Sequence, residues 1–369
     1  MSGRRVLVLN AGSSTLKASV LPVSSEKAEA SVNVPMHGTA DAPDALRRVL
    51  DQVRASGVDL TQIAAVGHRV VHGGSLLTRT TLVDDDVLRQ IRELSALAPL
   101  HNPVAARVIE ASRAALPNVP QAAAFDSAFH ATLPRDAYVY ALPFEWYSQW
   151  GYRRYGFHGL SVAWSVERIR SLLQREDLGI VVAHLGAGCS VTAVWQGRSV
   201  STSMGMTPLE GLVMGTRAGS VDPGVVLAAE RDHKLDLQAL EETLEHRSGL
   251  LGLSGRTAEM KELLHLKESD DRAALAIAVF ERSAAAAIAA AATALPRLDA
   301  IAFTGGIGEH AGSVRAGIAR RLASVGVASG DIGVDGDGDR VLVTGPIAML
   351  VIEAREDVVI AREVGALLE

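Results

Sequence analysis

The sequence predicts an α/β protein with partly parallel sheets, on three observations. Apolar runs of strand length alternate with helical stretches along the 369 residues, several helical stretches space their apolar residues by three and four, and one strand–turn–strand pattern occurs twice. The strand runs are VLVLN (Val6–Asn10), AAVGHRVV (Ala64–Val71), AAAF (Ala122–Phe125), GIVVAHL (Gly179–Leu185), AIAFTGG (Ala300–Gly306) and PIAMLVI (Pro346–Ile352). Each is short, apolar and bounded by Gly, Pro or polar residues. The helical stretches are Asp44–Val53, Pro103–Leu116, Ser161–Leu173, the alanine-rich Ala273–Leu295, Ser313–Val325 and Glu356–Leu368. No Ser/Pro-rich linker divides the chain, so a domain boundary must lie inside a short connection.

The repeated pattern is VLVLNAGSSTLKASV (Val6–Val20) and IVVAHLGAGCSVTAV (Ile180–Val194), at a constant offset of 174. Both read as β-hairpins with small-residue tips, and the offset lays Asn10 on His184, Gly12 on Gly186 and Ser14 on Gly188. Two related halves, each offering one such loop to a shared cleft, would flank a bound polyphosphate. Chance resemblance of two Gly-rich hairpins is the plainer reading.

Composition narrows the function classes. With 48% hydrophobic and 21% charged residues the chain is an ordinary globular protein, and a net charge of −6 argues against a nucleic-acid partner or a membrane surface. The single Cys189 leaves no disulfide or zinc pair, which points to a reducing compartment, the cytoplasm. The apolar run after MSGRR is too short for a signal peptide. Ala273–Leu295 carries Glu281 and Arg282 near its middle and reads as a helix packed on a sheet, not a membrane span.

Several segments carry candidate chemistry. AFTGGIGEHAGSVRAGIAR runs from a strand through Gly305, Gly306 and Gly308 into a helix, where backbone N–H groups can meet an anion, or forms a plain turn. In GHRVVHGG, Arg69 offers a fork for carboxylate or phosphate and Val71 an apolar wall, while His68 and His72 read as structural. Thr202–Gly224 has no helical or strand period and holds Arg217 among small residues. Asp126 follows a short apolar strand, and His158 sits between glycines in YGFHG, placed to donate to a phosphoryl group or to be buried structurally.

Together and in order, VLVLNAGSSTLK, GHRVVHGG, PLHNP, FDSAFH, YGFHG, AHLGAG, TSMGMTPLEGLVMGTRAGSVDPG, FTGGIGEH and EDVVIARE resemble the motifs of the acetate kinase family. The resemblance implies two RNase H-like domains around an interdomain cleft: residues 1–127 with the C-terminal helix 357–369, and residues 128–356 carrying the nucleotide site. It implies a homodimer that transfers the γ-phosphoryl of ATP reversibly to acetate, giving acetyl phosphate and ADP, with Mg2+ and possibly Mn2+ as the metal. Arg69 and Arg217 would clamp carboxylate and phosphoryl groups, Asp126 would be the catalytic carboxylate, and His158 and His184 transition-state donors. Val71, Leu100, Phe157 and Pro208 would line the methyl pocket, with Asn10 and Glu356 organising the metal. The nucleotide side would comprise Thr15, Lys17, His184, Gly186, Ala187, Gly188, Glu259, Met260, Lys261, Gly306, Ile307, Gly308, Glu309 and His310.

That side departs from the family pattern. Thr15 stands for the usual Ser, Ala187 and His310 for Asn, and Glu259, Met260 and Lys261 for an Asp-Phe-Arg-like triplet. Ala187 removes an amide from the phosphate side, and Met260 would reshape the base site. The implied alternatives are propionate as acceptor, a non-ATP donor such as pyrophosphate, or a nucleotide-gated scaffold without turnover.

Overall fold

The computed structural model describes residues 3–369 apart from residues 13, 328, 329 and 331, so Ser13 of the first hairpin tip lies outside the described residues. Contacts divide the chain into two units. The first comprises residues 1–131, 157–164 and 355–369, the second residues 132–156 and 165–354. Residues 157–164 and Glu356 therefore group with the first unit, whereas the sequence reading assigned them to the second domain.

The first unit is built on a six-stranded sheet of β1 (Arg5–Ala11), β2 (Thr15–Pro22), β3 (Ala30–Pro35), β4 (Ile63–Val70), β5 (Thr81–Leu82) and β6 (Gln121–Phe125), in the order β3-β2-β1-β4-β6-β5. The β1–β2–β3 meander is antiparallel, and β4 and β6 join β1 in parallel. One face packs helices Ala42–Ala55 and Asn102–Ala115 against Leu7, Leu9, Leu16 and Val66. Two-residue alternation turns Gly67 to the other face, which the C-terminal helix Glu356–Ala366 covers. A Cβ on Gly67 would stand 2.6 Å from Ile360 Cγ2, so the missing side chain is what lets this helix lie close to β4.

The second unit repeats the plan with β7 (Gly179–Leu185), β8 (Cys189–Trp195), β9 (Arg198–Thr202), β10 (Ala300–Thr304), β11 (Arg340–Val343) and β12 (Ala348–Val351), ordered β11-β12-β10-β7-β8-β9. Again a hairpin and its third strand are antiparallel while β10 and β12 run parallel to β7. Two such sheets are the expected RNase H-like pair, and the 174-residue repeat is structural: β1–β2 and β7–β8 hold corresponding places, with a tip of residues 12–15 in the first and the shorter tip 186–188 in the second. Helix Asp271–Ala292 is long and apolar enough to cross a membrane by composition. Here it lies on β7 and β8, burying Ala276, Ile277, Phe280, Ala284 and Ile288.

Every strand and helix read from the sequence is present. Strands β3, β5, β9 and β11 and helices such as Asp85–Glu93 and Leu237–His246 were not read. The two-residue β5 and four-residue β11 have no period to detect, and residues 203–222, as anticipated, hold neither helix nor strand.

Candidate active site

In the first unit the parallel register sets Asn10 beside Arg69, and Arg69 beside Ala124, two residues before Asp126. The carboxyl ends of β1, β4 and β6 thus bring Asn10, Arg69 and Asp126 to one edge, the place where open α/β sheets bind ligands. Arg69 grips Asp126 with both arms, Nε donating to Oδ1 at 2.9 Å and Nη2 to Oδ2 at 2.5 Å. Its Nη1 donates to Asn10 Oδ1 at 3.2 Å, and Glu356 Oε2 lies 3.3 Å from Nε. Asp126 is 1% exposed, whereas Arg69 and Glu356 keep 18% and 16%.

Burial pushes the Asp126 carboxyl up, to about 6, and the Glu356 carboxylate adds to the rise, against the pull of Arg69 and of the His158 backbone N–H. For Arg69 the two carboxylates outweigh burial and raise its pKa, so it stays charged. One guanidinium therefore carries two carboxylates.

The turn carrying His158 is fixed by the backbone. His158 has φ 58°, and Gly159 N donates to Asp126 O at 2.8 Å. A Cβ at Gly159 would fall 2.2 Å from that oxygen, so only glycine permits the approach. Phe157, 1% exposed, meets His72 edge-on at 5.2 Å, and Val71 is also buried, so both are set in the first unit with half-buried Leu100.

His68 and His72 are structural: His68 Nε2 pairs with Gln121 Oε1 at 2.8 Å, and His72 Nδ1 accepts from Gly74 N at 2.9 Å. Asn102, to which sequence reasoning gave no role, donates to His72 O and accepts from His72 N, bracing the Arg69 strand end. Its place in PLHNP was the available signal.

In the second unit His184, next to last in β7, lies opposite Thr304 of β10. Gly305, at φ 76°, starts the short helix Gly305–His310, and a Cβ there would stand 3.2 Å from His184 Nε2. The tip Gly186, Ala187, Gly188 lies alongside, since a Cβ on Gly186 would be 3.9 Å from Gly306 N, while Gly306 itself faces open space. Gly215 N donates to Ala187 O at 3.1 Å, which ties the segment bearing Arg217 to the same tip. His184, two glycine turns and the segment bearing Arg217 thus form a second cluster, with backbone N–H groups and a guanidinium suited to phosphate.

The remaining nucleotide candidates do not all face outward. Met260, the first residue of helix Met260–Leu266, is 4% exposed, with Glu259 and Lys261 exposed beside it. Glu309 turns its carboxylate onto the backbone N–H groups of Gly305 and Ala354, at 2.8 and 3.0 Å, and burial raises its pKa. Ile307 is half-buried, Gly308 is buried and His310 is exposed. Pro208 is buried in the irregular segment of the second unit. In the first unit Thr15 opens β2, and Lys17 stands exposed opposite Asn10.

The chain is similar to known proteins over nearly its whole length. The model of the acetokinase family matches residues 27–362. An acetate kinase from Deinococcus radiodurans is 43% identical over 395 residues, covering 98% of each chain, and one from Symbiobacterium thermophilum is 38% identical over 394 residues, covering 99% of each. Among solved structures, a Francisella tularensis propionate kinase has a TM-score of 0.90 at 34% identity over 98% of both chains, and the Porphyromonas gingivalis acetate kinase 0.90 at 29%, covering 99% of this chain and 100% of that one. With the duplicated sheet, the clustered strand-end residues and this similarity over nearly its whole length in agreement, the chain belongs to the acetokinase family.

Proposed function

We propose that this protein transfers the γ-phosphoryl group of ATP reversibly to acetate, forming acetyl phosphate and ADP. The observation that carries the reading is the strand-end cluster in which Arg69 holds Asp126, Asn10 and Glu356 at once. Acetate is nucleophilic at neutral pH, so the chemical difficulty is two anions repelling each other. An acetate oxygen forms the new P–O bond as the bond to the ADP oxygen breaks, and the electron pair leaves with ADP. Arg69 and Arg217 would neutralise the transferring group, with His158 and His184 donating to its equatorial oxygens. Val71, Leu100, Phe157 and Pro208 would enclose the methyl group and exclude water as phosphoryl acceptor.

A divalent ion, magnesium or manganese, fits the donors at hand. Asn10 and Glu356 offer hard oxygen ligands next to Asp126, and the described residues hold no cluster of three or more His, Cys, Asp or Glu side chains. That set suits an ion held by one or two protein oxygens and completed by phosphate and water, where it would neutralise phosphate charge.

Purified protein with acetate, ATP and magnesium should give hydroxamate-trappable acetyl phosphate. Arg69→Lys, which keeps the charge and loses the fork, should lower kcat/KM about 100-fold or more. A wild type with no product from ATP, GTP or pyrophosphate would end the proposal. Propionate is a second acceptor to compare, favoured by the 34% identity to a propionate kinase.

We also propose pairing with a second copy. Phe144, Trp146, Trp150 and Tyr152 are exposed in the second unit, and Leu142, Tyr152, Val221 and Leu227 line one apolar groove there. The composition and the lone buried Cys189 support a cytoplasmic location.

A further inference from the structure

Arg217 lies in a segment without regular structure, yet its backbone is fastened to the end of helix Leu237–His246 and the turn after it. Ala218 N donates to Leu244 O at 3.0 Å, Thr216 Oγ1 to Glu245 O at 2.8 Å and Ser248 N to Thr216 O at 2.9 Å. Gly249, at φ 61°, lies against it so closely that a Cβ would stand 2.2 Å from Met214 O and 3.1 Å from Arg217 N. Backbone fastening alone leaves a long side chain free to sample rotamers. The side chain is held separately: Glu245 Oε2 pairs with Arg217 Nε at 3.0 Å, with the two side chains 17% and 18% exposed. Among the described residues no partner other than Glu245 pairs with the guanidinium, and the side chain keeps 17% of its surface open.

We propose that Glu245 is a positioning residue, which through its ion pair orients the Arg217 guanidinium toward the phosphoryl group. The proposal rests on the acyl-phosphate reading for its catalytic consequence. A carboxylate paired with the guanidinium narrows the rotamers the long side chain samples, and a fork oriented beforehand loses less entropy on meeting its anion. A carboxylate also holds Arg217 more firmly than a neutral amide would, so the charge at residue 245 is the feature to test.

Two measurements on the full chain test this. In the hydroxamate assay, Glu245→Gln should lower kcat about tenfold or more, with the KM for acetate and the melting temperature unchanged. Added to Arg217→Ala, the same change should have no further effect, since the residue it positions is gone. An unchanged or raised kcat in Glu245→Gln, or losses that multiply in the double variant, would overturn the proposal. The second measurement needs no turnover: in 15N relaxation without substrate, the Arg217 Nε–H should be more ordered in the wild type than in Glu245→Gln. Equal order overturns the proposal, whereas a wild type with an ordered Nε–H and no acetyl phosphate refutes the assigned reaction and leaves the positioning intact.

Discussion

At the scale of single residues, the buried histidines set how this protein responds to acid. Burial pushes His68 and His130 down to about 4, against an ordinary value of 6.5. Between those values the unfolded chain binds more protons than the native one, so their contribution is fully present above pH 6.5 and is lost as pH falls toward 4. Each is of the order of about 3 kcal/mol. Asp126 works in the opposite direction: its carboxyl, raised by burial to about 6 from 3.8, takes up its proton in the native state first, and acidification through that window favours folding. Two histidines outweigh one carboxyl. The melting temperature should therefore be several degrees lower at pH 5 than at pH 7.5, and a flat or rising profile toward acid would contradict the balance.

At the scale of elements, the C-terminal helix supplies Glu356 from its first turn and rests on the bare surface of Gly67. Gly67→Ala would place a methyl group 2.6 Å from Ile360 Cγ2 and 3.0 Å from Val364 Cγ2, both on β-branched side chains that cannot swing away. The helix must shift, at a cost of about 1 to 3 kcal/mol. A fall in urea midpoint together with a higher magnesium requirement is the expected result, since the same helix carries the carboxylate next to Arg69. Unaltered stability would show that β4 has room the structure does not reveal. The hairpins behave as elements too. Their sequence similarity was legible because each needs the same strand, polar residue and small-residue tip, although the pairing differs by one residue, with Ala11 opposite Leu16 in the first hairpin and Leu185 opposite Cys189 in the second.

At the scale of the molecule, two duplicated units share one chain that crosses between them several times. The apolar face of the second unit is the feature on which a pairing surface would depend. Trp150, 56% exposed, stacks near Trp146 and Tyr152, at 5.1 and 5.6 Å between ring centroids. Trp150→Glu should convert a dimer seen by sedimentation into a monomer, because a charge in a desolvated apolar contact is strongly unfavourable. A wild type that sediments as a monomer would remove the pairing proposal.

The amino-acid order by itself determined the α/β class, the two Gly-containing hairpins and the strand-end residues Arg69, Asp126 and His184, because apolar period and glycine turns are local signals, whereas the duplication was decided by the two sheets. It also placed Arg217 in an irregular, functional-looking segment. Only the tertiary structure decided which partners those residues have. The gathering of Asn10, Glu356 and Asp126 on one guanidinium depends on parallel register and on a helix from the far end of the chain. The inward turn of Met260, the backbone duty of Glu309 and the hold of Glu245 on Arg217 depend likewise on packing between segments distant in sequence. A side chain's orientation is fixed by the neighbours that bury or pair it, and those neighbours are brought to it by the fold.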